Sequence, residues 1–161
     1  MIYPMAMAAA IGEALGLTGE EIAAGVAAYV PTGSRMHIIH LPEERLLIDD
    51  CYNANPQAMT EALRLLAVTQ TRRRAAELGE LTASAHRAIG ALTGELHLDS
   101  VIAIGEKARD IASAAPNAQW FPSVEDALPA VRAAFIGGTA MLVKASHAMH
   151  FENIVKELEQ R

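Results

Sequence analysis

Apolar and polar positions fall into two successive patterns along the chain. Over residues 1–32 the pattern is helical. MAMAAAIGEALG is alanine-rich, and Gly16 is placed to stop it. Thr18 stands before GEEIAAGVAAYV with Glu20 and Glu21 in the first turn, which predicts a second, capped helix. Pro31, Thr32 and Gly33 then break the pattern and set a domain boundary, with a helical segment over 1–32 and a second domain over 33–161.

Beyond the break the period shortens. MHIIHL and RLLIDD are apolar runs on either side of Pro42, Glu43 and Glu44, which predicts a β-hairpin. Pro56 suits the first position of a helix through QAMTEALRLLAVT. A second helix is expected over roughly Leu81 to Leu96, then a strand at SVIAIG and a helix from Glu106. AQWF is a short strand, VEDALPAVRAAF a helix interrupted at Pro129, TAMLVKAS the last strand and FENIVKELEQ the last helix. Strands alternating with helices predict an α/β domain. Its sheet is mostly parallel with an antiparallel leading hairpin and helices on both faces. The segment before ELGE breaks this alternation. TRRRAA carries no strand-like apolar run, so about one strand, roughly 5–6 residues, is expected to be missing between Thr71 and Glu77.

Composition narrows the class without naming an activity. Apolar residues are 52% of the chain and charged residues 20%, enough for a real core, but aromatics are only 4%, so that core is aliphatic. Nineteen acids against thirteen bases give a charge of −6, which disfavours an unspecific nucleic-acid surface. A single cysteine excludes an intrachain disulfide and suits a reducing, cytoplasmic setting. No apolar run is long enough to span a bilayer, and the first residues do not read as a signal peptide.

The densest polar cluster is DDCYNANP, Asp49 to Pro56, directly after a strand and opening a helix. Ligands of open α/β sheets bind at such strand ends beside helix N-termini. A carboxylate there can accept from ribose hydroxyls, and amides can pair with an adenine edge. The same residues also suit a plain capped turn, with Asn55 as N-cap and Pro56 at the first helical position. Arg35 in PTGSRM could reach phosphate oxygens or simply be solvated. Lys144 and Ser146 end the last strand, where they could hold an anionic group or run out into water. His37 and His40 face opposite sides of a strand, and His147 and His150 lack further ligands, so no metal site is expected. Arg72, Arg73 and Arg74 suit a solvated loop. Cys51 beside two acids should have a raised pKa and be a poor nucleophile. None of Lys107, Lys144 and Lys156 sits between Gly and Ser or Thr, as a phosphate-binding P-loop requires.

Four segments together resemble the C-terminal part of the Mur ligase family. DDCYNANPQAM is similar to the family's D-D-S-Y-N-A-N-P run, with Cys51 in place of Ser. GSRM resembles its G-R-M segment, and LVKASHAMHFENIV its V-K-G-S-R-x-M-x-M-E run, with Ala145 for Gly and His147 for Arg. ELGELTASAH, ending at His86, resembles the second half of L-G-D-M-x-E-L-G…H, and the R-R-x-x-V-L-G-D-M stretch before it reads as truncated. Residues 1–32 resemble the last helices of the family's central ATPase domain, with Met5 where Asn is frequent.

The resemblance implies an ATP-dependent ligase. Among Mur ligases it points to those that add D-alanyl-D-alanine to UDP-N-acetylmuramoyl-tripeptide during peptidoglycan synthesis. ATP and Mg²⁺ would be held mainly by the central domain, and the 161-residue chain alone would be inactive. Carried over residue by residue, Asp50 would accept from the ATP ribose. Asn53 and Asn55 would lie by the adenine with Tyr52 nearby, and Arg35 would reach the phosphates. Lys144, Ser146 and His86 would face the incoming substrate. The competing expectations are a stand-alone nucleotide-binding or interaction module without catalysis, and a ligase of the folylpolyglutamate type. The N-A-N run, in place of a histidine-containing one, favours the D-alanyl-D-alanine ligases.

Overall fold

The computed structural model describes residues 2–29, 33–79 and 83–160. The chain divides into two compact units between residues 32 and 33. Pro31 and Thr32 of the expected break lie outside the described residues.

The first unit is a pair of helices, α1 (Ile2–Ala14) and α2 (Gly19–Ala27). Gly16 takes φ +83°, and the Leu17 N–H reaches back 3.0 Å to the Gly12 carbonyl, which closes the end of α1. Thr18 and Glu21 form a reciprocal capping box on α2. Of the described residues in this unit only Gly12 is buried. Met7, Ile11, Leu15 and Tyr29 lie open to solvent, and Met5, Ala8, Leu17, Ile22 and Val26 line a groove of about 360 Å³.

The second unit is built on six strands: β1 (His37–Leu41), β2 (Arg45–Asp50), β3 (Arg73–Leu78), β4 (Ser100–Ile104), β5 (Ala118–Phe121) and β6 (Thr139–Lys144). Their spatial order is β1-β2-β6-β3-β4-β5. β1 and β2 are antiparallel and every other pairing is parallel. The hairpin turn forms because Glu43 and Glu44 adopt left-handed backbone at φ +60° and +57°. Alternate strand residues serve two cores. Ile48, Ala76, Leu78, Val101 and Leu142 pack under α3 (Pro56–Val68), α4 (Ala83–Glu95) and α5 (Arg109–Ala114). Leu47, Ala75, Ile102, Met141 and Val143 pack against α6 (Val124–Ala134) and α7 (Glu152–Glu159).

The structure corrects three expectations. No strand is missing at 71–77: β3 is a six-residue central strand, paired along its length with β6 and over four residues with β4. Arg73 and Arg74 belong to it and are not a solvated loop. They occupy its amino end, where the Arg74 guanidinium bonds the Thr69 carbonyl at 2.9 Å and its N–H bonds Asp99 at 2.7 Å. The second helix begins at Ala83, and Leu81 and Thr82 lie outside the described residues. Thirdly, α6 runs through Pro129 unbroken. Pro129 and Glu125, one turn before it, both lie on the exposed face, so the carbonyl that loses its partner faces water.

α4 and α5 approach closely at Gly90, where an added Cβ would stand 2.4 Å from the Ile111 carbonyl oxygen and 2.9 Å from the Ala114 Cβ. Gly90→Ala should therefore destabilise the domain by about 1–3 kcal/mol through overpacking, against the gain of roughly 1 kcal/mol that alanine brings to a helix. Urea denaturation reads this directly, and an unchanged or raised midpoint would contradict the close approach.

Candidate functional site

The carboxyl ends of β2 and β6 lie side by side at the middle of the sheet, with Asp50 in register with Lys144. Lys144 is in turn in register with Leu78 of β3. The connections from β3 and β6 leave to opposite faces, α4 with the first core and α7 with the second. This is the topological switch point at which open α/β sheets take their ligands.

Three segments meet there. The Tyr52 N–H donates to the Ser34 carbonyl at 3.1 Å, and the His147 N–H donates to the Tyr52 carbonyl at 3.2 Å. The Met36 N–H donates to Asp50 Oδ1 at 3.2 Å. The Arg35 guanidinium stacks 3.8 Å from the centre of the Tyr52 ring, and the His147 ring lies 6.0 Å from Tyr52 on centroids. Arg35, Tyr52, Asn53 and Asn55 are exposed, so the surface presented is aromatic, amide and cationic.

Asn55 has a structural task. Its side-chain oxygen accepts from the Ala58 N–H at 2.9 Å as the N-cap of α3, with Pro56 at the first helical position. The cap uses the Asn55 side-chain oxygen, and the residue is exposed. Ser146 is half-buried and opens the 3-10 turn His147–Met149.

Lys144 does not run out into solvent. Its side chain is 1% exposed, and Nζ pairs with Asp50 Oδ2 and donates to the Asn53 carbonyl at 2.9 Å. Asp50 keeps 13% of its side chain open. His86 is buried within α4 and is not among the residues gathered at this edge by the contacts above. The structure thus brings together Arg35, Asp50, Tyr52, Asn53, Asn55, Lys144 and Ser146.

On the other face of the same strand ends lie three buried groups: Asp49 and Cys51, which the sequence placed side by side with a raised thiol pKa, and Glu77, which it did not bring to them. Asp49 Oδ1 accepts from the Cys51 N–H at 3.2 Å, and the Cys51 thiol reaches the Val143 carbonyl at 3.4 Å. Burial, then the Asp49 carboxylate, pushes the Cys51 thiol far up, with Glu77 adding to the same effect. Glu77 is fully buried, and neither carboxyl oxygen has a hydrogen-bond partner. Burial holds its carboxyl well above the usual carboxylate range. Nothing in the local sequence pattern set Glu77 apart. Among the described residues no group of three His, Cys, Asp or Glu side chains is arranged to hold a metal ion.

Known proteins share this fold. The profile of the family described as Mur ligase, glutamate ligase domain, matches residues 34–147. The UDP-N-acetylmuramoyl-tripeptide–D-alanyl-D-alanine ligases of Escherichia coli and Bacillus subtilis are 29% and 30% identical, each over 95% of this chain. The chain spans about a third of their length, 35% and 36% respectively. The structure of the UDP-N-acetylmuramoylalanyl-D-glutamyl-2,6-diaminopimelate–D-alanyl-D-alanyl ligase from Acinetobacter baumannii superposes with a TM-score of 0.83 at 26% identity. That superposition covers 93% of this chain and 34% of that one. No helix among the described residues is long and apolar enough to cross a membrane. With the family profile matched from Ser34 to His147, across the whole strand-end cluster, the chain belongs to the Mur ligase family.

Proposed function

We propose that the chain is the C-terminal part of a cytoplasmic, ATP-dependent ligase that joins D-alanyl-D-alanine to the tripeptide carboxylate of UDP-N-acetylmuramoyl-tripeptide. Residues 1–32 are the last helices of its ATPase domain. The observation that carries this reading is the placement of DDCYNANP at the switch point beside Arg35, in a chain whose relatives bear that name.

In this reading the edge closes over ATP. The open face of Asp50 accepts from a ribose hydroxyl, and Tyr52 and the Asn53 and Asn55 amides border the adenine. Arg35 swings from Tyr52 to the phosphates, where a guanidinium can bond two oxygens at once. When the carboxylate attacks the γ-phosphorus, ADP leaves and an acyl phosphate forms. The dipeptide amine then displaces phosphate to make the amide. Arg35 offsets the charge that develops in the first step, and closure of the domain excludes water from the second. Mg²⁺ supplies charge neutralisation when bound. Its ligands, like the phosphate-binding loop, would belong mainly to the rest of the enzyme.

In the full-length enzyme sustained ADP turnover, beyond the first equivalent, should require both the tripeptide and D-alanyl-D-alanine. Arg35→Ala should lower kcat/KM for ATP by about 10²-fold or more, the scale of one lost transition-state donor. The isolated 161-residue chain should release no ADP. Turnover by the isolated chain, or steady-state ADP release by the full enzyme that ignores D-alanyl-D-alanine, would overturn the reading.

A further inference from the structure

Lys144 has the composition of a substrate ligand and the environment of a strut. A buried ammonium must be paired, because transfer out of water is costly for an isolated charge. Here the pairing is to two points 3 residues apart on one loop: the carboxylate of Asp50 at its start and the backbone carbonyl of Asn53 at its middle. Both bonds span more than ninety residues of sequence, from β6 to the loop after β2. The other Asp50 oxygen is held by the Met36 N–H, on the segment that carries Arg35. The backbone of Lys144 itself receives the Gly79 N–H at 3.1 Å, at the end of β3. One residue therefore ties β3, β6, the 51–55 loop and the Arg35 segment.

We propose that Lys144 is a positioning residue for the nucleotide-facing edge and does not touch the dipeptide. This rests on the proposed reading that the edge faces ATP. The ammonium fixes the Asp50 carboxylate so that its open sliver faces outward. It also cancels a negative charge that would otherwise repel the phosphates. Through the Asn53 carbonyl it holds in place the loop that carries Tyr52, Asn53 and Asn55.

Two measurements on Lys144→Met test this, since methionine keeps the apolar stem and removes the charge. In the isolated chain, hydrogen exchange should speed up at least tenfold at the Met36, Tyr52 and His147 amides. It should stay unchanged at Leu142 and Ala76 in the core. In the full-length enzyme, KM for ATP should rise at least tenfold while KM for D-alanyl-D-alanine stays within twofold. Unchanged exchange at the three edge amides overturns the strut. A rise in KM for the dipeptide without one for ATP makes Lys144 a substrate ligand, and also overturns the proposal. Should Lys144→Met fail to fold, Lys144→Gln retains a donor toward Asp50 and gives both readouts with smaller changes. A full-length wild type without ligase activity would refute the function reading alone, because the exchange result stands without it.

Discussion

Glu77→Val should make the protein more stable, by about 2 kcal/mol at mildly acidic pH, the cost of a buried carboxyl group without a hydrogen-bond partner. That corresponds to a melting temperature raised by roughly 5–10 °C. Glu77 lies on a central strand in register with Val143 and Ile102, on the face that carries Ala75, Met141 and Cys51. Valine at this place would extend the apolar surface without adding volume. The gain should also depend on pH. The folded state holds the Glu77 proton to a pH well above the ordinary carboxylate range. Below the unfolded value of about 4.3 both states are protonated and the group contributes no pH dependence. Above it the unfolded chain releases the proton and the folded one does not. Stability is then lost with rising pH, at up to about 1.4 kcal/mol per unit, until the folded value is passed. The nearby Asp49 carboxylate and Cys51 thiol are present in both proteins, so the difference between wild type and variant isolates Glu77. Denaturation at a series of pH values from 4 to 7 should show the advantage of Glu77→Val widening. A variant no more stable than wild type, or an advantage flat across that range, would show that Glu77 is satisfied in solution.

Asp50→Ala should be the most damaging single change at the switch point. It removes the countercharge of an ammonium whose side chain is 1% exposed. Breaking one partner of a buried pair typically costs about 3–5 kcal/mol, because the remaining charge stays out of water. Lys144→Met should cost less. It strands a carboxylate that is 13% open and still accepts from the Met36 N–H. The order of the two losses is the informative quantity. Guanidinium unfolding of both variants gives it, and equal losses would mean that water reaches Lys144 Nζ freely. The double variant Asp50→Ala/Lys144→Met should recover part of the loss, as buried pairs replaced together often do.

Where the chain follows local rules, its sequence predicted the structure well. Hairpin, capped helix and apolar strands are each specified within a dozen residues, and Asn55-Pro56 and Pro42-Glu43-Glu44 formed as read. β3 was hidden for a physical reason. A central parallel strand is recognised as an apolar run, and this one begins with arginines that belong to the sheet's rim and carries a buried carboxyl at its heart. The site was legible as a list and not as a geometry. Asp50, Asn53 and Arg35 were named from motif and position. That Lys144 turns inward depends on a partner 94 residues away in sequence, and a strand-end lysine read alone is expected to reach solvent. Glu77 was invisible for the same reason: burial is a property of neighbours, and its neighbours come from other strands.

The strand order has a consequence for the moment at which the site comes into being. β6 is the last strand of the described chain, yet it sits third in the sheet, between β2 and β3. Until Thr139–Lys144 has been synthesised, β2 and β3 have no common neighbour, and the nascent chain holds a two-stranded hairpin apart from a three-stranded piece. Such non-local closure is slow, and it leaves strand edges unpaired while it waits. The same insertion that seals the sheet delivers the ammonium to Asp50. A ribosome-bound chain stopped before residue 139 should therefore carry every residue of the DDCYNANP loop without the Lys144 and His147 bonds that fix it to the sheet.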